Sequence, residues 1–207
     1  VSHLSAHFFV RQANGRLVDA LRHAPALARL VTDPALDFDP AAYDRLYETE
    51  IPEDRRERLR GTHERKRERE LVMREEARRR VVAGGLALED VGHGVGIEQC
   101  YQGVETILSG TAGALLVTEA GTPIGPDLGY GPAYYHAAGD VIEILAAFDS
   151  IDRETASDRI RAAESSRGGP GWSTEEIERA AWGPLVTLRE LLRVCARRGD
   201  GVLKWWS

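Results

Sequence analysis

Residues 53–83, EDRRERLRGTHERKRERELVMREEARRRVVA, limit what the chain can fold into more than any other stretch. The segment has no proline, and its few apolar residues form no continuous stripe, so it supplies neither a strand nor a core-facing helix of ordinary kind. What recurs is an acid four residues ahead of a base: Asp54 and Arg58, Glu70 and Arg74, Glu75 and Arg79, Glu76 and Arg80. Each pair adds only about 0.2–0.5 kcal/mol to a helix. Together they predict a solvated, extended helix, interrupted at Gly61 and inserted within a domain whose core the remainder must build. Residues 53–80 hold 12 Lys+Arg against 8 Asp+Glu, so a chain of net charge -6 leaves -10 on its other residues. Clustered arginines attract phosphate. The interleaved glutamates and the lack of aromatic residues for base stacking place nucleic-acid binding through residues 55–80 last among the functions considered.

The 207 residues suit one domain, 1–207, and 43% hydrophobic with 29% charged residues is globular composition. No stretch approaches the roughly 18 uninterrupted apolar residues of a membrane span. The first segment, VSHLSAHFFVRQANGRLVDALRH, breaks its apolar runs with Arg11, Arg16, Asp19 and Arg22 and so lacks a secretory h-region. A cytosolic protein is expected. Cys100 and Cys195 are far apart and in no CxxC or Cys/His spacing, which predicts small buried residues and neither a disulfide framework nor a zinc site. His3, His7, His23, His63 and His93 show no metal-ligand spacing, and no cofactor is expected.

AHFFV at 6–10 reads as a strand ended by the turn residues QANG, and a helix with a break at Pro25 follows from Leu17. Asp33 and Asp39, each before a proline, mark helix starts. The glycines around His93 keep neither P-loop nor dinucleotide spacing and read as a connector. Helical spacing runs from Ile97 to Leu108; Leu115 to Thr118 reads as a strand, followed by a turn and an edge strand at Pro123. A core-facing helix is expected on Val141, Ile142, Leu145 and Phe148, another over 152–163, and a loop at ESSRGGPGW. STEE at 173–176 has capping-box spacing and opens a long helix kinked at Gly183-Pro184, before the terminal strand GVLKWW. Strands and helices mix without regular βαβ alternation. The class expected is α+β, with a small mixed or antiparallel sheet packed against several helices.

DLGYGPAYYH, residues 127–136, concentrates glycine, proline and tyrosine between an apolar run and a helix. Together with LLVTEAGTPIG before it, the V-I-E-I helix after it, GPGWSTEEIE and RRGDGVLKWW, it resembles the YfbM-like family of uncharacterised bacterial proteins over residues 97–207. AHFFVRQ resembles that family's first strand. The resemblance implies an α+β fold and a cytosolic bacterial protein, and it carries no activity. Family members hold two histidines on the helix before the strand, where this chain has Gln102 and Glu105 within Tyr-Gln-Gly-Val-Glu; an arginine of the loop is here Tyr134. The arginine-rich segment is an addition to the shorter members.

Two candidate constellations follow. Gln102 and Glu105, three apart, share one face of a helix, with Glu105 in reach of general-base work if burial raises its pKa. The loop offers Asp127, Tyr130, Tyr134, Tyr135 and His136, either as a packing layer with hydroxyls reaching water or as the walls of a ligand pocket. The leading expectation is a small polar molecule or a protein partner bound in a cleft between that helix and the Tyr130–His136 loop, without chemistry. The alternative is a metal-independent acid/base enzyme using Glu105 or Asp127. Tyrosine, tryptophan and arginine-rich surface equally suit a homo-oligomer.

Overall fold

Two central strands too apolar to alternate organise the molecule. FFVRQA and GVLKWW are buried almost throughout, the signature of strands covered on both faces. The structure is a computed structural model and describes residues 7–97, 101–167 and 172–206; Cys100, His3 and residues 168–171 of the ESSRGGPGW stretch lie outside the described residues. In chain order the elements are β1 (Phe8–Ala13), α1 (Gly15–His23), α2 (Ala28–Val31), α3 (Pro40–Glu50), α4 (Glu53–Ala83), β2 (Val91–Gly96), α5 (Tyr101–Leu108) and α6 (Ala114–Val117). Then come β3 (Thr122–Ile124), β4 (Ala133–His136), α7 (Ala138–Asp149), α8 (Arg153–Arg167), α9 (Thr174–Ile177), α10 (Gly183–Arg198) and β5 (Gly201–Trp206).

The five strands form one sheet in the order β2-β1-β5-β4-β3, every pair antiparallel. This is the α+β architecture expected. Side-chain alternation sorts the central strands into two cores. Phe8, Val10 and Val202 face the larger one, built with α5, α6, α7, α8 and α10. Ala13, Leu203 and Trp205 face the smaller one, built with α1, α2 and Val81 near the end of α4. Trp205 stacks on Phe9 across the β1–β5 pair, with ring centroids 5.4 Å apart.

The charged segment is one helix of 31 residues, continuous through Gly61. The interruption expected there is absent because α3 braces the flanking turn. His63 stacks on Tyr43 and Tyr47, with centroids 4.6 and 4.0 Å away, and Asp44 accepts from His63 Nε2 and Arg67 Nε, both at 2.9 Å. Such contacts offset the roughly 1 kcal/mol that an interior glycine costs. At its other end α4 buries Ala77 and Val81, and Val81 joins the smaller core. The helix is therefore docked at both ends and does not stand alone.

Three further expectations meet a different outcome. Leu115 to Thr118, read as a strand, instead falls in the helix α6 and its cap Thr118, since a four-residue apolar run has no period to decide between the two. His93 and its glycines, read as a connector, form the edge strand β2. There Gly94 is needed for close approach: a Cβ would collide with the Asp37 carboxylate, to which its N–H donates at 2.8 Å. The helix expected from Ser173 is split. The capping box forms as read, Ser173 N–H donating to Glu176 at 2.7 Å and Glu176 N–H to Ser173 at 3.2 Å. Residues Glu178–Trp182 then form a π turn, with Gly183 N–H donating to Glu178 O, because Pro184 has no N–H to continue the α ladder. Gly103 of α5 lies against that turn, where a Cβ would stand 2.5 Å from Ala180 O.

Candidate functional site

The loop answers to its own hydrogen bonds before any ligand. Asp127 Oδ1 accepts from Gly129 N–H at 2.7 Å and Gly131 N–H at 3.0 Å, while Leu128 N–H donates to Gly131 O at 2.9 Å. Gly129 and Gly131 have φ of 116° and 98°, so the turn needs residues without a Cβ. The two backbone donors hold the Asp127 carboxyl below its usual range. A carboxylate stabilised in this way is a turn-former and a weak proton acceptor. Leu128 packs into the smaller core, and Asp127, Leu128 and Gly129 line a groove of about 390 Å³ with Arg29, Thr32 and Trp205. The indole Nε1 of Trp205 is buried there with no hydrogen-bond partner among the described residues.

Beyond the loop, β4 sends its side chains alternately to opposite faces. Tyr135 joins the smaller core, where burial raises its hydroxyl pKa. Tyr134 and His136 point to the other face, around Lys204. The Lys204 side chain is wholly buried; its Nζ donates to Thr118 O at 2.5 Å and to Leu115 O, carbonyls at the end of α6. Tyr134 and Trp206 place their rings 5.8 and 5.9 Å from Nζ. No carboxylate pairs with it among the described residues, and burial pushes its pKa down to about 7. His136 Nε2 also meets Leu115 O, at 3.1 Å, and burial, then the Lys204 charge, pushes its pKa down to about 4. Tyr130 is exposed. Nothing in the sequence singled out Lys204, because a lone lysine in a terminal strand ordinarily faces water.

Gln102 and Glu105 are exposed on α5, which packs on the larger core. They do share a helix face, but the sheet stands between them and Asp127. The expected cleft joining the α5 pair to the whole loop is therefore not formed. Glu105 instead lines a groove of about 540 Å³ between α5, α6 and α8, whose walls are Thr106, Ser109, Thr118 and Arg159 and whose floor is made of small residues such as Ala114 and Ala163. Arg159 Nη1 donates to Ile107 O at 2.6 Å, which caps α5 and fixes the guanidinium at the rim. Gln102 opens into a much smaller neighbouring cleft beside Trp172. Lys204 serves the larger groove at one remove, since the short helix that it anchors runs from Ala114 to its cap Thr118, both in the groove wall. Cys195 is buried, with its thiol pushed up to about 12, and offers no nucleophile.

Among the described residues no group of three His, Cys, Asp or Glu side chains converges to hold a metal ion, and no helix is long and apolar enough to cross a membrane. No curated protein and no solved structure matches the chain. One family model does, described as Domain of unknown function (DUF1877), over residues 38–205. That span takes in four of the five strands and both helices that carry the groove's acid and base, and the chain accordingly belongs to the DUF1877 family.

Proposed function

We propose that the protein binds a small polar molecule in the α5–α6–α8 groove and performs no chemistry on it. The observation that carries this reading is the pairing of one acid, Glu105, and one base, Arg159, with three hydroxyls over a floor of small residues. An acid and a base lining one groove together with hydroxyls suit a ligand bearing both an amine and a carboxylate or phosphate. Gln102 lies one turn away and the loop tyrosines lie elsewhere, so the ligand is held by α5 and α8. The YfbM-like resemblance supports a bacterial, cytosolic setting for such a protein.

An acid/base enzyme using Glu105 is the alternative within the same groove. Asp127, its other candidate, is taken up by the turn that it closes. Glu105→Gln separates the two readings once a ligand is in hand. Binding followed by calorimetry should show affinity changed by about tenfold or less, as for one charge-assisted contact. Turnover of the bound molecule by the wild type, lost by roughly 10²–10⁴-fold in the variant, would instead establish the enzyme.

A further inference from the structure

The inner stripe of α4 holds two residues that its core position does not call for. Residues 74, 77, 78 and 81 follow one another along one helix face. Ala77 and Val81 are buried, Val81 in the smaller core, but the other two are Arg74 and Arg78. They meet Arg11 of β1, Asp37 and His93 of β2 in a cavity of about 200 Å³, whose remaining walls include Leu36 and Leu88. Arg11 is only 1% exposed; its Nη1 donates to Gly92 O at 2.7 Å and its Nη2 to Asp37 Oδ2 at 2.6 Å. Its Nε, and that of Arg74, are buried with no hydrogen-bond partner among the described residues.

The charges do not balance. Asp37 answers Arg11, and Asp33 is engaged by Arg80 at 2.7 Å. Among the described residues no carboxylate lies within 4.0 Å of Arg74 or Arg78. Three guanidinium groups against one carboxylate leave a surplus of two positive charges in a partly desolvated space, with N–H donors left unused. Guanidinium forks match phosphate oxygens two by two, and an uncompensated buried charge favours a ligand that neutralises it.

We propose that this cavity is an oxyanion site for a phosphate group, either free or carried by a small phosphomonoester. The volume suits one such group and its first atoms; Arg74 and Arg78 grip from the helix, Arg11 from the sheet floor, and His93 stands at the exposed edge. The site is separate from the α5–α6–α8 groove and rests on different residues.

The test is calorimetric titration of the full chain with inorganic phosphate and with glycerol 3-phosphate, each in sodium chloride of matched ionic strength. Wild type should bind both, and Arg74→Gln/Arg78→Gln should weaken them about tenfold or more. Neither arginine has a carboxylate partner to lose, so the double variant should keep the wild-type Tm or exceed it in phosphate-free buffer. Arg65→Gln/Arg69→Gln removes the same charge from exposed positions of the same helix and should leave affinity within about twofold. Tighter binding of the ester identifies a phosphomonoester as the occupant, and equal binding identifies free phosphate. No binding beyond the chloride control, or equal weakening by the two double variants, overturns the site.

Discussion

Asp37→Ala is expected to cost about 3–5 kcal/mol of folding stability, the loss seen when one member of a buried ion pair is removed. The physical reason lies on β1. Arg11 occupies a central strand, faces the smaller core, sits about 6.0 Å over the Trp205 ring and is only 1% exposed. Burial alone lowers its pKa, and Asp37 is the group that restores the charged form. Taking the carboxylate away leaves Gly92 O as the remaining acceptor and also frees the Gly94 N–H that donates to Asp37 Oδ1. With whole-domain stability ordinarily 5–15 kcal/mol, the variant should be near unfolding in mild urea. Arg11→Met/Asp37→Ala should recover most of the loss, because it removes the stranded charge along with its partner. A single-variant loss below about 1 kcal/mol would show that Arg11 is hydrated and that the pair is not a buried one.

The second large effect is a rise of stability with pH across two windows. His136 has a folded pKa of about 4 against 6.5 unfolded, so between those values the unfolded chain takes up a proton that the folded chain refuses. Stability is complete above pH 6.5 and is lost as pH falls towards 4, by roughly 3 kcal/mol. Lys204, lowered from 10.5 to about 7, acts in the same sense higher up: its contribution is complete above pH 10.5 and declines as pH falls to about 7. Urea denaturation at pH 4.5 and 7 reads the first window, and denaturation at pH 7 and 9.5 reads the second. His136→Gln should flatten the lower slope and Lys204→Met the upper one. If both slopes survive their substitutions, other groups carry the pH dependence.

Lys204 and Arg11 also explain how far the chain could be read without its structure. AHFFV, the capping box at Ser173 and the helical run of 53–83 were legible because their signals are local: β-branched and aromatic runs, a hydroxyl three residues ahead of a carboxylate, acids four ahead of bases. Gln102 and Glu105 share one helix face for the same reason, a spacing of three within a helical run. What period and propensity do not carry is which face of the sheet a loop returns to. Asp127 and Glu105 lie on opposite sides of β5 because Leu128 inserts into the smaller core while Val104 and Ile107 fill the larger one. Arg74 and Arg78 look like any other solvated arginines of α4 until β1 and β2 are set beneath them. Arg159, the base of the groove, is distinguished only by the carbonyl of Ile107 that it caps.

Ligand binding in the groove between α5, α6 and α8 is tested by blocking that groove. Ala162 lines it from an exposed position on α8, so Ala162→Trp fills the space without entering either core. Thermal unfolding of wild type and variant would be followed against a panel of small polar metabolites weighted towards amino acids and other phosphate-free molecules that carry an amine and a carboxylate. Ligand at about 100 times its Kd adds about 2.7 kcal/mol of stability to the form that binds it. At least one compound should raise the Tm of wild type and leave that of Ala162→Trp unchanged, with the two Tm values equal in its absence. A compound that stabilises both proteins alike would place the binding site elsewhere and contradict binding in the groove.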